Sequence, residues 1–328
     1  TRSGPSGQGL PGGAITVRAV TVRLTIRTAI WRSQVARVVN AVDGLVPVIK
    51  GNGYGFGRNW LANTAAEFCD TVAVGTVHEL DGLPDELTPV VLTPTLTAPT
   101  STTPILTVGA DEHLAALAGW GGRVLVKLAS PMRRFGRDTT LIDRALASGL
   151  DVVGVSVHPQ LAGTGAEHGA VITKLLPAID PAIPVWASHL DLDSYAQLPA
   201  THSYRLRLGT MLWHGDKHAL HLTADVIDVN AVKAGDNAGY RMGAVGGNGH
   251  LVMIGAGTAN GITAIDQGEH GSLSPFHFER TRLALHEAPH MHTSMVFVPD
   301  GSPLPSIGDR VDLQRPMHMT AVDEYEWL

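Results

Sequence analysis

The chain has 328 residues and 44% of them are hydrophobic, which is enough for one large domain or for two ordinary domains with separate cores. The formal net charge is −6, which excludes a basic field able to hold nucleic acid or an anionic membrane surface. No apolar stretch reaches the ~18 residues that a membrane-spanning helix needs, and the one cysteine, Cys69, excludes an internal disulfide framework and favours a cytoplasmic protein.

The chain opens with TRSGPSGQGLPGG, which is rich in glycine, serine and proline and lacks the apolar core of a signal peptide. We predict a disordered tail over residues 1–14, because such a segment cannot bury enough apolar surface to fold. The first folded domain is then expected to begin at residue 15.

Short apolar runs recur from about Leu45 to Leu212, and helical patterns such as DEHLAALAGW and TTLIDRALASG lie between several of them. We count eight runs: LVPVI, TVAVGT, PVVLT, ILTVG, RVLVKL, DVVGVSVH, PVWASH and YRLRLG. The second, third and fourth connections have the weakest helical patterns. Eight alternating β and α units predict an α/β fold, a closed (β/α)8 TIM-like barrel over residues 15–220, whereas an open doubly wound sheet would usually have fewer strands.

The pattern changes near residue 220, where segments of alternating polarity such as TADVIDVNAV, GHLVMIGAG and TSMVFVP begin. Glycine, proline, asparagine and aspartate separate these segments. The pattern predicts a smaller, mostly antiparallel β domain over residues 221–328.

Polar residues cluster at the ends of the predicted barrel strands, where the active sites of β/α barrels lie. Five separate segments supply such residues: Lys50, Arg134, His158, Ser194, and Arg207 with Gly209. Each has a structural explanation when taken alone, since a lone strand-end histidine is commonly a hydrogen-bonded structural residue. Their convergence on one face predicts a functional site.

The segment PVIKGNGYGFG places Lys50 directly after a buried strand and before glycines on alternate positions. The glycines suggest a ligand that the backbone approaches closely, and LGTM after the last strand offers backbone N–H groups suited to a phosphate. A lysine amine combined with a phosphate site suggests pyridoxal phosphate, held by Lys50 as a Schiff base.

With these motifs in place, the sequence resembles the alanine racemase family of pyridoxal-phosphate enzymes, from about Val20 to Val298. VIKGNGYGFG resembles the family's lysine motif, which implies Lys50 as the Schiff-base lysine and Tyr54 as a phosphate contact. SPMRRFG, GVSVHP, HLDLDS and RLGTMLW resemble four further barrel motifs. They imply Arg134 as a substrate-binding arginine, His158 as a cofactor-binding histidine and Ser194 as a phosphate-binding serine. They also imply Arg207 opposite the pyridine nitrogen, and Gly209 and Thr210 as backbone phosphate donors.

Two motifs of the β domain complete the resemblance. AGDNAGYR implies Tyr240 as the second catalytic base, and MHTSMVFV implies Met291 beside the substrate. Family members take this tyrosine from the partner subunit, which implies a homodimer with composite active sites. A small amino acid is the implied substrate, and no metal site is expected.

The sequence departs from the family pattern at several positions. His292 stands where the family usually has an aspartate, and Pro131 replaces a glycine. The carboxyl end lacks the family's closing arginine and proline motif, which leaves the role of Tyr325 open. Lys127 matches a lysine that some members carbamylate.

These groups suit racemisation, which needs one base on each face of the α-carbon, here Lys50 and Tyr240. Arg207 carries donors only, so a pyridine nitrogen facing it stays unprotonated and the ring withdraws electrons less strongly. A hydrogen bond between Arg207 and His158, with the guanidinium as donor, would orient that guanidinium. A decarboxylase of the same fold is disfavoured by Arg207 and by the lack of cysteine in the β domain, whereas a non-catalytic or degenerate pyridoxal-phosphate-binding protein is the alternative.

Two further motifs are set aside. HEAPH, residues 286–290, fits the metalloprotease pattern HExxH, but Pro289 disfavours the helix that would put both histidines on one face. MIGAGTANG offers a partial dinucleotide-binding pattern in which Asn260 occupies the place of the third glycine.

Overall fold

The computed structural model describes residues 22–328, and the tail predicted over residues 1–14 lies outside the described residues. The first described strand, β1 (Val22–Ile26), leads into the longest helix, α1 (Thr28–Ala41). No helix in residues 22–328 has both the length and the apolar character required to cross a membrane.

Eight parallel strands then form the first of the two main sheets. They are β2 (Leu45–Pro47), β3 (Thr71–Val74), β4 (Thr88–Val91), β5 (Ile105–Val108), β6 (Arg123–Lys127), β7 (Asp151–Ser156), β8 (Val185–Ser188) and β9 (Tyr204–Leu208). β2 pairs with β9, and a parallel bridge between Val48 and Ala73 joins the two ends of the sheet. The predicted closed barrel is therefore confirmed, with each of the eight apolar runs supplying one strand.

Burial on both faces explains why these short runs form strands. β3, β5 and β8 are buried along their whole length, and β3 and β5 are rich in β-branched residues, as expected where helices cover the outside of a parallel sheet. The helices after α1 are α2 (Arg58–Ala66), α3 (Asp111–Ala116), α4 (Thr140–Ala147), α5 (Gly165–Leu175), α6 (Leu192–Ala196) and α7 (Thr210–Trp213).

Two of the three connections with weak helical patterns are irregular, whereas the fourth connection, between β5 and β6, contains α3. Only a 3-10 turn at Val77–Glu79 lies between β3 and β4, and the described chain has no helix between β4 and β5. The connection between β4 and β5 contains three prolines and several threonines, which disfavour a helix there.

The second main sheet has nine strands, and all but one of its pairings are antiparallel. Together with two short hairpins, it is built from β1 and from β10 (Leu220–Val232), β11 (Asn237–Ala238), β12 (Gly243–Ala244), β13 (Gly249–Ile254), β14 (Ile265–Asp266), β15 (Ser272–Leu273), β16 (Phe276–Phe278), β17 (Thr281–Arg282), β18 (Ala284–Leu285), β19 (Ser294–Pro299), β20 (Arg310–Leu313) and β21 (Glu324–Trp327). The predicted β domain is confirmed as an architecture.

One strand lies in a different sheet from the one its chain position indicates. β1 falls within the range 15–220 assigned to the barrel, yet it pairs antiparallel with β10 and parallel with β21. Its partners lie up to 301 positions away along the chain, as in the bond from Val22 N to Asp323 Oδ2. No local pattern could indicate such a pairing.

Aromatic residues join the barrel to the carboxyl-terminal strand. Trp31 of α1 is 2% exposed, stacks on Trp213 at 6.1 Å, and donates a 3.0 Å hydrogen bond to the Trp213 carbonyl oxygen. Trp327 of β21 meets Trp31 edge-on at 5.9 Å and packs on Trp60 at 4.8 Å. The cluster packs β21 against α1 and α2, and α2 begins directly after the loop that carries Lys50.

Candidate active site

A cavity of about 430 Å³ opens at the carboxyl ends of the barrel strands. Six of the sequence-predicted residues line it: Lys50, Tyr54, His158, Arg207, Gly209 and Thr210. The volume falls within the range of about 300–1,000 Å³ that is usual for small-molecule sites. The barrel thus brings together residues from three separate strand ends.

The loop that carries Lys50 is held from both sides. Asn52 Nδ2 donates to the carbonyl oxygens of Met317 at 2.9 Å and Thr320 at 2.8 Å, while Asn52 Oδ1 accepts from Gly55 N. Tyr325 Oη donates a 2.9 Å hydrogen bond to the Gly55 carbonyl oxygen. The carboxyl-terminal segment therefore braces this loop, and Tyr325, whose role the sequence did not indicate, is one of the bracing residues.

Gly53 shows why the loop needs glycine. Its φ is +63°, and a Cβ there would lie 2.5 Å from Arg58 N at the start of α2. Tyr54 follows with a φ of 54°, a conformation that side-chain-bearing residues seldom adopt. The tight left-handed turn directs the chain from Lys50 back into α2.

Positive charge surrounds the Lys50 amine. Burial among neighbouring groups lowers the pKa of Lys50, and Arg134 and Arg207 lower it further against the opposing effect of Glu79. Glu79 is held by the backbone, since its Oε2 accepts from Gly75 N at 2.8 Å and Gly51 N at 3.2 Å. A lowered pKa increases the share of neutral amine, which is the nucleophilic form of lysine.

Tyr54 and Gly209 approach each other closely across the cavity wall. A Cβ on Gly209 would lie 2.0 Å from Tyr54 Oη, so only glycine fits beside the phenol. Burial raises the pKa of Tyr54 to about 12, so this phenol stays protonated and can donate a hydrogen bond. Gly209 is followed directly by α7, whose first backbone N–H groups lack helical partners.

Arg207 is buried without a carboxylate partner in the described part of the chain. Its Nη2 donates to the carbonyl oxygens of Val157 at 3.0 Å and Trp186 at 3.3 Å, and its Nε donates to that of Ala187 at 3.4 Å. Burial, aided by Arg134, lowers its pKa to about 10, so the guanidinium remains charged near neutral pH. The cavity is thus lined by a cation, the Arg207 guanidinium, that three carbonyl groups hold in place.

His158 does not bond to Arg207, in contrast to the contact considered from the sequence. Its Nδ1 forms a short hydrogen bond with Ser188 Oγ, and its ring packs on His189 with centroids 4.3 Å apart. Burial, together with Arg207 and His189, lowers the pKa of His158 to about 2. The ring is therefore neutral near pH 7, because burial and then the nearby Arg207 disfavour its protonated form.

Arg134 lies in a smaller adjoining cavity of about 160 Å³, which also reaches Lys50, Lys127, His158 and Arg207. Its guanidinium lies over the Phe135 ring at 4.7 Å. Lys127 is 3% exposed, and its Nζ donates to the carbonyl oxygens of Leu128 and Ser156. Burial, then Arg207 and Arg134, lower the pKa of Lys127 to about 7, so much of it is the neutral amine that can react with carbon dioxide.

Three further predicted residues line neither cavity. Ser194 stands at the edge of the main cavity, where its backbone N donates at 2.7 Å to Oδ1 of Asp191, a residue that lines the cavity. Tyr240 and Met291 are carried by the second domain and are 85% and 67% exposed. A single chain does not bring these two side chains to its own cavity.

The sequence interpretation missed other lining residues, including Ser188 and His189. Both end the run PVWASH, so the strand-end criterion that selected Lys50 and His158 applies to them equally. Asp191 also lines the cavity, but its position in a loop gives no comparable signal.

Fold and site together define a two-domain protein with a lysine- and arginine-lined cavity at the carboxyl end of a (β/α)8 barrel. A family model described as the N-terminal domain of alanine racemase matches residues 26–213, and the chain therefore belongs to the alanine racemase family. No curated protein matches the chain significantly in sequence.

Solved structures of alanine racemases share the fold at low sequence identity. The enzyme from Bartonella henselae, with covalently bound pyridoxal phosphate, has a TM-score of 0.69 at 16% identity, covering 94% of this chain and 100% of that one. The Clostridium difficile enzyme gives 0.67 at 16% identity, covering 94% and 97%. The enzyme from Streptomyces lavendulae, a D-cycloserine producer, gives 0.66 at 19% identity, covering 95% and 98%.

Proposed function

We propose that the protein is a pyridoxal-phosphate-dependent amino-acid racemase acting on alanine or another small amino acid. The observation that carries the proposal is one cavity in which the Lys50 amine lies near Arg207, a buried arginine that no described carboxylate neutralises. Membership of the alanine racemase family supports it.

The residues of the cavity fit this cofactor. Lys50 supplies an amine of lowered pKa for the aldehyde, and the close approach of Gly209 to Tyr54 forms a wall suited to a compact anionic group. Tyr54, Thr210 and the backbone at Gly209 would hold the phosphate, with Ser194 at the edge. When bound, the cofactor would withdraw electrons from the substrate α-carbon and so acidify its proton.

Arg207 favours racemisation over other outcomes. A guanidinium has only donors, and its carbonyl partners occupy Nε and Nη2, which leaves Nη1 without a hydrogen bond among the described residues. Arg207 would therefore hold the cofactor's ring nitrogen as an unprotonated hydrogen-bond acceptor. An unprotonated ring would withdraw electrons less strongly, which would favour prompt return of a proton to the α-carbon.

Inversion requires a second base on the opposite face, and we assign that role to Tyr240. Its 85% exposure on its own chain suits a side chain that completes the cavity of a second copy, together with Met291. The proposal therefore includes a homodimer with composite active sites. Arg134 would bind the substrate carboxylate.

A non-catalytic pyridoxal-phosphate-binding protein is the alternative. It is favoured by His292, which stands where the family usually has an aspartate. A carrier would need no second base.

The test is incubation of the protein, reconstituted with pyridoxal phosphate, with single-enantiomer amino acids in D2O. Chiral chromatography with mass detection follows inversion and α-deuterium together. Inversion with deuterium gain identifies a racemase and its substrate. Cofactor binding without exchange for any amino acid refutes the racemase and supports the alternative.

A further inference from the structure

We propose that Glu287 and His290 are positioning residues that clamp the hairpin bearing Tyr240. This inference rests on the proposed function, in which Tyr240 is the second base. It assigns a role to the HEAPH segment, which the proposed function leaves unexplained.

Tyr240 lies at the tip of a small hairpin with little support of its own. The hairpin consists of β11 and β12, two residues each, and the Tyr240 side chain is 85% exposed. Two-stranded hairpins are marginally stable in water. A catalytic side chain placed there needs contacts from elsewhere to hold its position.

Glu287 supplies most of these contacts. Its carboxylate accepts hydrogen bonds from Tyr240 N at 3.0 Å, from Arg241 N at 3.4 Å and from His290 Nε2 at 2.6 Å. Gly239 permits this approach, because a Cβ there would lie 2.3 Å from Glu287 Oε1. One carboxylate thus fixes the backbone on which Tyr240 stands.

His290 contacts the Tyr240 ring itself. The rings of His290 and Tyr240 pack with centroids 4.3 Å apart, and the His290 side chain is 14% exposed. His286, at the other end of HEAPH, donates a 3.2 Å hydrogen bond to the Ala238 carbonyl oxygen in β11. The segment is a bend without helical hydrogen bonds, so its histidines serve the hairpin rather than one helical face.

The MIGAGTANG segment supports His290 through backbone hydrogen bonds. The carbonyl oxygens of His290 and Met291 accept 2.8 Å hydrogen bonds from Thr258 N and Ala259 N. A Cβ on Gly257 would lie 2.4 Å from the His290 carbonyl oxygen, so GAGTAN packs directly against this segment. The same frame therefore holds both Tyr240 and Met291.

The first measurement is amide hydrogen exchange of the peptide containing Tyr240 and Arg241, followed by mass spectrometry in the cofactor-free full-length protein. Glu287→Ala should speed this exchange roughly 10- to 100-fold, because hydrogen bonds to a charged acceptor are lost. Glu279→Ala, at an exposed glutamate in the turn between β16 and β17, is the matched control. If Glu287→Ala does not fold, Glu287→Gln replaces it. Exchange equal to the control would overturn the clamp.

The second measurement separates positioning from general damage. With the cofactor bound, Glu287→Ala and His290→Ala should lower kcat for racemisation at least tenfold. Both should retain α-deuterium exchange for the one enantiomer that reacts on the Lys50 face. His290→Phe, which keeps an aromatic ring, should recover part of the loss. Equal loss of racemisation and of single-enantiomer exchange would overturn the assignment.

Failure of the proposed function is distinguishable from failure of the clamp. A wild-type protein that binds the cofactor and exchanges no amino acid refutes the racemase. The amide exchange of Tyr240 and Arg241 still decides whether Glu287 holds the hairpin.

Discussion

Gly209→Ala tests whether the wall between Tyr54 and Gly209 shapes the cofactor cavity. The added Cβ would lie 2.0 Å from Tyr54 Oη, so the phenol must retreat about 1.4 Å to reach the 3.4 Å at which ordinary contact begins. Gly209 has a φ of −116° and a ψ of −87°, outside the left-handed region. The perturbation to be measured is the steric clash with Tyr54.

Overpacking of this kind costs about 1–3 kcal/mol. Tyr54 lines the cavity and also contacts His214, whose Nε2 donates to the Tyr54 carbonyl oxygen at 2.7 Å. Because His214 restricts the backbone, we expect the ring to take volume from the cavity. The dissociation constant for pyridoxal phosphate should then rise roughly 5- to 150-fold.

Spectroscopic titration with pyridoxal phosphate measures this change, and thermal unfolding without cofactor measures the clash separately. Gly169→Ala is the matched control, since nothing lies within 4 Å of its Cβ and it sits inside α5. It should stabilise the protein by about 0.5–1 kcal/mol. In a Tyr54→Ala background, Gly209→Ala should cost little. An equal cost in both backgrounds would show that Tyr54 is not the group it strikes.

Four further predictions concern the lysine loop, the buried lysine and the two proposed bases. Asn52→Ala removes three hydrogen bonds to and within the lysine loop, and should lower the free energy of unfolding by about 2–3 kcal/mol in urea titrations; an unchanged midpoint would contradict the bracing role. Burial lowers the pKa of Lys127 from 10.5 to about 7, so between these values the unfolded chain holds a proton that the folded chain lacks. The stability contribution of Lys127 is present above pH 10.5 and is lost as the pH falls towards 7, so the free energy of unfolding should rise with pH across that range. Lys127→Met should abolish this rise in denaturant titrations. Equal pH dependence in the variant and the wild type would refute the prediction. Lys50→Ala should remove the absorbance of the lysine-bound cofactor, and retention of that band would exclude Lys50 as its attachment point. Tyr240→Phe should slow proton removal from one enantiomer far more than from the other, as measured by α-deuterium exchange; equal losses would count against the two-base scheme.

The hydrophobic periodicity of the sequence determined the architecture. Eight apolar runs buried on both faces became eight parallel strands, because a closed barrel leaves such strands no solvent-facing side. Strand ends also located much of the site, since parallel strands direct all their carboxyl ends to one face. Lys50, His158 and Arg207 come together for that reason alone.

Only the tertiary structure decided the contacts between distant segments. Three such contacts join residues that are remote in sequence: the pairing of β1 with β10, the hydrogen bond from Asn52 to Met317, and the hydrogen bond from Tyr240 N to Glu287. Local propensity carries no information about these partners, because they are selected by the packing of two complete domains. HEAPH illustrates the difference: Pro289 already argued against a helical metal site, but only the folded chain shows the segment in a bend beside a hairpin that begins 49 residues earlier, at Asn237.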